Sequence, residues 1–336
     1  MKRPVCVFAN PEIIPSFEDD LQEMADGWWA KPFYYSAGLV IDFEGGLVRK
    51  IIQDAAVNPG NEARLYLSDI MSGRITPYNP IASMCQLGKD ELMAGHITDM
   101  LTEISDGPIP ESVESMVRRS LVEMLKNARN SSVSYSLVQL GKTLEMCFTK
   151  QNRRDLADST RSLFEKLNQI PYQLILGDVK PTLLTELVLK NNLIYVLDAS
   201  AKKVSDFLEP AKEAALCTYD ASVVSLIAGL ILIDFVETLK NKYNNKYPRQ
   251  SPLVVMVNGY NRLPSLPWVD IISNLAEYKA KGFLTPTAGY SSLKASELGA
   301  NVRIFYDEFP NLFDGGRGFS PFEPMKNYTF AISELL

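Results

Sequence analysis

The chain has 336 residues, 46% of them hydrophobic and 22% charged, with a formal net charge of -6. That is ordinary globular composition with enough apolar residues for a sizeable core, and the acidic balance argues against a general nucleic-acid binder, which needs a basic face. The four cysteines (Cys6, Cys85, Cys147, Cys217) form no C-x-x-C pair and read as buried thiols, and with His96 the one histidine, neither a zinc site nor a Ser-His-Asp or Cys-His mechanism is expected.

In chain order, the first zone, residues 1–87, opens on a short apolar run at 5–8 (VCVF) that predicts a buried strand. Helical spacing follows over 17–24. A second strand is predicted at 37–43 (AGLVIDF), a helix at 47–56, and a third strand at 63–67 (ARLYL). The second zone, 88–172, carries apolar residues at three- and four-residue spacings over 92–104, 111–128, 133–147 and 153–167, which predicts an all-α bundle. The third zone, 173–336, returns to alternation. It has strands at 193–197 (LIYVL), 253–257 (LVVMV), 283–286 and 302–306, and helices at 221–243 and 271–278. Strand–helix alternation predicts an α/β fold with a mostly parallel sheet and helices on both faces, interrupted by the helical bundle.

The most apolar stretch, 223–236 (VVSLIAGLILIDFV), is too short for a bilayer span and contains Asp234; a central core helix is expected. The start meets proline and acid within a dozen residues, which does not read as a signal peptide, so a cytoplasmic protein is expected.

The order of these pieces, with SAGLVIDFEGGL (36–47), RLYLSDIMSGRITPYNPIA (64–82), LIYVLDAS (193–200) and WVDIISNLAEYKAKGFLTPTAGYSSL (268–293), resembles the motor domain of the HerA/FtsK-like P-loop ATPases. Within that group it looks most like the TraG/TraD-type coupling ATPases of conjugation and type IV secretion. The helical zone falls where those ATPases insert an all-α domain. The resemblance implies a P-loop NTPase-like fold.

The catalytic positions depart from that family. A phosphate-binding loop needs glycines whose amides close around phosphates, a Lys for the β/γ-phosphates and a Ser/Thr for magnesium. After the first strand this chain offers Ala9, Asn10, Pro11, Glu12, Ile13, Ile14, Pro15 and Ser16. Two prolines lack the amide donor and Glu12 repels an anion. Where the resemblance puts a Walker B Asp-Glu, the chain has Asn258 and Gly259; where it puts Thr-Gln on the sensing strand, it has Thr287 and Ala288. These losses imply no bound nucleotide, no metal and no catalytic residues.

Two segments imitate the missing parts. Leu140, Gly141, Lys142 and Thr143 hold a G-K-T, but no strand feeds it and the helical stripe Leu140, Leu144, Cys147 runs through it. Asp307 and Glu308 follow an apolar-leaning run as a Walker B does, with too little chain after them for the elements expected beyond that motif. Asp42, Glu44 and Asp198 sit at predicted strand ends, where acids are usually solvated or used as caps. Trp28, Trp29, Phe33, Tyr34 and Tyr35 crowd one loop and are candidates for a protein interface. The glycine-, proline- and phenylalanine-containing tail, 313–326, reads as an extended loop, and the basic stretch 240–249 as a solvated helix end.

The reading that follows is a catalytically inactive, ATPase-like scaffold or adaptor. Its expected partners are other protein subunits, among them a membrane-associated secretion ATPase, with neither nucleic acid nor membrane insertion. A nucleotide-binding enzyme using Asp307 and Glu308, and a DNA-handling translocase subunit, are the alternatives left open.

Overall fold

The apolar runs of the sequence become seven strands: β1 (Val5–Phe8), β2 (Ala37–Asp42), β3 (Leu65–Asp69), β4 (Ile194–Asp198), β5 (Leu253–Asn258), β6 (Lys281–Thr285) and β7 (Val302–Phe305). They are seen in a computed structural model that describes residues 5–8, 37–48, 51, 65–71, 77–131, 133–169, 172–177, 193–201, 219–242, 253–278, 281–285 and 302–305. The strands form one sheet in the order β3-β4-β2-β5-β6-β1-β7, and every pairing is parallel. Parallel neighbours need crossover connections that lay helices on the faces, so such strands are covered on both sides. Every residue of β2, β4 and β5 is buried. Leu39, Ile41, Tyr195, Leu197, Val255 and Val257 join the main hydrophobic cluster from one face. On the other face Val40, Val196, Val254 and Met256 are buried outside that cluster, as are Leu47, Val48 and Ile51 just after β2.

Between β3 and β4 the chain runs through helices α1 (Pro80–Met84), α2 (Asp90–Glu103), α3 (Glu111–Asn130), α4 (Leu137–Lys150), α5 (Arg154–Glu165) and α6 (Tyr172–Leu176). α7 (Ala221–Lys242) and α8 (Trp268–Glu277) flank β5. α7 is the central pillar. It is long and apolar enough to cross a membrane, but 89% of its apolar window is buried within the molecule. It packs against α1, α2 and α8 and against β2, so its hydrophobicity is spent on the core.

A polar hub fastens the helical zone to this pillar. The buried Asp234 carboxylate accepts hydrogen bonds from Ser83 Oγ at 2.6 Å, Tyr78 Oη at 3.4 Å and Thr238 Oγ1 at 3.2 Å. A buried carboxylate is tolerable only with such partners. Burial and the neighbouring Asp234 raise the Tyr78 hydroxyl well above its ordinary pKa, so it stays protonated as the donor. Asn79, between Tyr78 and Pro80, caps α1 by accepting from Ile81 N and Ala82 N and donates through Nδ2 to Tyr135 O at 2.6 Å. The Tyr-Asn-Pro-Ile-Ala-Ser-Met segment is thus structural.

Some expectations are corrected in detail. α4 begins at Leu137 and not at 133, because Ser136 and Gln139 form a capping box that fixes the start. β3 runs two residues later than predicted, through Ser68 and Asp69, because these polar residues still pair with Leu197 and Asp198 of β4. α8 starts at Trp268 and not at 271, and β6 spans Lys281–Thr285 in place of 283–286. Of the described cysteines Cys85 is buried but Cys147 is exposed, since the stripe of α4 runs through Leu144 to Phe148.

The G-K-T segment lies in α4, with Lys142 and Thr143 exposed. Gly141 is there for packing: a Cβ would come within 2.5 Å of Cγ of the buried Phe164 on α5. Gly141→Ala should therefore lower stability in urea unfolding by about 1–3 kcal/mol, the usual cost of overpacking a tight contact. An unchanged midpoint would contradict the close α4–α5 approach.

Candidate functional site

In a parallel sheet all strand ends point the same way, and ligands of open α/β folds bind beyond the carboxyl ends where the strand order reverses. Here that place is β2, with β4 and β3 to one side and β5 and β6 to the other. The register sets one residue from each strand in a row along this edge. Asp69 of β3 pairs with Asp198 of β4, Asp198 with Asp42 of β2, Asp42 with Asn258 of β5, and Asn258 with Thr285 of β6. In-register neighbours on parallel strands share a face, so three aspartates and an asparagine lie side by side. Asp42, Asp69 and Asp198 are each at most 1% exposed.

Asp42 is fully engaged. Its Oδ1 accepts from Glu44 N at 3.0 Å and Asn258 Nδ2 at 2.9 Å, and its Oδ2 from Val48 N at 3.0 Å. The carboxylate closes the turn after β2 and caps the helical residues 46–48. Main-chain bonds from Phe43 N to Asn258 O (3.0 Å) and from Ala199 N to Asp42 O (2.9 Å) stitch the three strand ends together. Asp198 Oδ1 accepts from Ser200 Oγ at 2.6 Å and Ser200 N at 3.0 Å. Its Oδ2 is buried without a hydrogen-bond partner. Burial, joined by the charges of Asp69 and Asp42 and opposed by the Ser200 hydrogen bonds, pushes the Asp198 carboxyl up to about 7.

Gly45 has φ +77°, and a Cβ there would stand 2.6 Å from Ser200 Oγ; the β2 and β4 turns meet at this point. Gly259, at φ +87°, turns the chain from β5 into a short 3₁₀ turn, Tyr260–Arg262. Tyr260 is buried edge-on to Trp268, with ring centroids 5.9 Å apart.

Beside this edge lies an open cleft of about 390 Å³ lined by Phe43, Tyr219, Ala221, Ser222, Ser225 and Arg262. Tyr219 Oη donates to Ala199 O at 2.9 Å. Arg262, the cation among these lining residues, pairs with Glu44 at 3.3 Å. The N-terminus of α7, a potential anion seat, is already taken: Asp220 Oδ1 accepts from Ser222 N and Val223 N, and Lys166 lies 3.7 Å from its carboxylate. Among the described residues, no group of three His, Cys, Asp or Glu side chains could hold a metal ion. The three aspartates line up without converging.

The sequence-predicted positions divide sharply. Asn258 and Gly259 are in the site, with Asp42, Asp198 and Glu44. Asn10, Pro11, Glu12, Ala288, Asp307, Glu308 and the aromatics Trp28, Trp29, Phe33, Tyr34 and Tyr35 lie outside the described residues. Asp42 and Asp198 are buried and hydrogen-bonded, where solvated strand ends or simple caps were expected; Asp42 does cap the turn, but from inside the sheet. Asp69 was missed, because the predicted third strand stopped at Leu67. His96, in α2, is half-buried away from this row, and burial lowers its pKa.

No protein-family model matches this sequence, and no curated protein matches it. Solved structures do. Plasmid coupling protein TrwB in complex with ADP and Mg2+ superposes with TM-score 0.51 at 10% identity, over 88% of this chain and 64% of that one. TrwB with the ATP analogue ADPNP gives 0.50 at 10% identity over 84% and 63%. The trigonal form of the bacterial conjugative coupling protein TrwBdeltaN70, in complex with sulphate, gives 0.51 at 9% identity over 88% and 64%.

The fold of this chain is similar to that of TrwB. It spans under two thirds of the length of these TrwB structures. The likeness agrees with the α/β, P-loop NTPase-like architecture that the sequence implies, and at this identity it speaks for the fold alone. Within that fold, the strand end where the resemblance puts an Asp-Glu pair carries Asn258, whose amide is committed to Asp42, and Gly259, whose left-handed backbone makes the turn.

Asn258→Asp tests this assignment. It would put a second buried carboxylate 2.9 Å from Asp42 Oδ1 in place of a donor, and two such groups cannot both ionise. The expected result is a loss of about 2–4 kcal/mol in urea unfolding at pH 7. A variant as stable as the wild type would refute it.

Proposed function

We propose that this chain is an ATPase-shaped subunit without ATPase chemistry, which scaffolds or adapts a larger protein machine of the conjugation or type IV secretion kind. The observation that carries the reading is the Asn258–Asp42 hydrogen bond. It spends, on holding two strands together, the position where phosphoryl transfer would need an anionic magnesium ligand and a residue to orient water. The surroundings support it. The α7 N-terminus is occupied by Asp220, and Arg262 is balanced by Glu44. The sequence after β1, with Pro11, Glu12 and Pro15 and neither glycine nor lysine, supports it as well.

The setting in a coupling complex is an analogy drawn from the TrwB fold, since a fold is reused for many functions. On this reading the partners are other protein subunits, among them a membrane-associated secretion ATPase. The protein works in the cytoplasm against an inner-membrane complex, and Trp28, Trp29, Phe33, Tyr34 and Tyr35 supply the contact. Trp and Tyr are the side chains that most often dominate such contacts. The net charge of -6 disfavours DNA as the main ligand.

Titration calorimetry with ATP and magnesium at millimolar nucleotide, followed by a phosphate-release assay, tests the proposal. No binding heat and no release above the buffer rate are expected. Hydrolysis abolished by changing one of the chain's own residues, Asp307 or Glu308 included, would overturn it.

A further inference from the structure

Where α2, α7 and α8 meet, polar side chains stand at positions whose spacing would suit a closed apolar core. Leu92 and His96 lie one turn apart on α2, Val236, Glu237 and Lys240 share a face of α7, and α8 brings Asp270, Ile271 and Asn274. Together they line a cavity of about 100 Å³. It lies along the C-terminal half of α7, whereas the cleft beside the carboxyl edge is built on the start of that helix. Pockets that enclose a cofactor begin at roughly 300 Å³, so this cavity has room for a single side chain.

Two of its walls carry polar groups with unmet hydrogen-bonding capacity. Asn274 is 7% exposed, yet among the described residues no group hydrogen-bonds its side-chain amide. Glu237 is 8% exposed; one carboxylate oxygen takes the Lys89 ammonium, and the other receives no donor among the described residues. Buried polar groups are almost always satisfied by protein, water or a ligand. Burial lowers the pKa of His96 against the charges of Asp99, Glu237 and Asp270, so at pH 7.5 the ring is neutral and keeps one nitrogen as an acceptor. Lys89 is committed to Glu237 and Lys240 is exposed, which leaves acceptors to dominate the interior.

We propose that this cavity is a socket for one arginine side chain of a partner protein. A guanidinium carries five donors in one plane, and three helices offer it acceptors: the second Glu237 oxygen, the Asp270 carboxylate, the Asn274 carbonyl and the neutral His96 ring. Val236 and Ile271 give the shaft of the side chain an apolar lining. Lysine brings the same charge with three donors and is depleted from protein contacts, whereas arginine is enriched there. Leu92, on the same wall as His96, is 46% exposed and seats an apolar neighbour of the arginine. The socket adds a second contact surface to the scaffold reading and does not depend on it.

His96 is the one histidine of the chain, so in a tag-free protein its ring gives a single NMR signal that needs no assignment. The full chain, carbon-13 labelled at histidine, is titrated at pH 7.5 with acetyl-Leu-Arg-amide and with the same dipeptide carrying citrulline, which keeps the shape and loses the charge. A saturable shift of the His96 signal is expected with arginine, and an affinity lower by roughly tenfold with citrulline, the usual worth of a hydrogen-bonded charge. Asp270→Asn and Asn274→Ala should each weaken arginine binding by about three- to tenfold. Asp155→Asn, at an exposed position on α5, should leave it unchanged. No saturable shift up to about 50 mM dipeptide, or equal affinity for arginine and citrulline, sinks the socket. Equal weakening in Asp155→Asn contradicts it too, because the binding is then general attraction to an acidic protein.

Discussion

The structure turns on one buried carboxylate. Asp42 sits at the end of β2 beside the point where the sheet reverses its order, and it receives the Asn258 amide, the Glu44 amide and the Val48 amide. Each of these donors belongs to a different task. Asn258 ties β5 to β2, Glu44 shapes the turn toward Gly45, and Val48 starts the helical turn that covers the far face of the sheet. A charge buried this deeply is stable only with such a set of partners, and each partner is held in place by it. Main-chain bonds from Phe43 N to Asn258 O and from Ala199 N to Asp42 O continue this fastening across the three strand ends.

On the proposed reading, a fold similar to that of TrwB serves a purpose other than nucleotide chemistry. In a working phosphoryl-transfer site the polar groups at the strand ends are left available for phosphate, metal and water. Among the described residues at this edge, several polar groups are engaged within the protein. Asn258 faces Asp42, Gly259 makes a backbone turn, Asp220 caps α7, and Arg262 meets Glu44. The same economy appears at the Asp234 hub, where Tyr78, Ser83 and Thr238 hold the helical zone on α7. Polar residues that would catch the eye as chemistry serve as joints between layers.

Much of the fold was legible because buried parallel strands leave unbroken apolar runs: VCVF, GLVID, IYVL and LVVMV all became strands, and the three- and four-residue spacings became α2 to α5. What was illegible is the pairing between distant segments. Asp69 escaped notice since Leu-Ser-Asp does not look like a buried strand end until β4 is laid against it. The start of α4 is carried by the capping box of Ser136 and Gln139, whereas the apolar spacing begins earlier. Asn258 was recognised as a departure from ATPase chemistry, yet its bond to Asp42, 216 positions away in sequence, is a fact of register that no local pattern carries. The loop and tail residues singled out in the sequence lie outside the described residues, so the structure bears only on the β5 end of that reading.

The most direct test of this account is a double-mutant cycle between Asp42 and Asn258. Asp42→Ala, Asn258→Ala and the double variant would be compared with the wild type by urea unfolding. A hydrogen bond to a buried charge predicts a coupling energy of about 1.5–3 kcal/mol. A coupling below about 0.3 kcal/mol, with the two losses simply adding, would mean that Asn258 does not fasten the edge, and the reading of that position as a structural joint would fail.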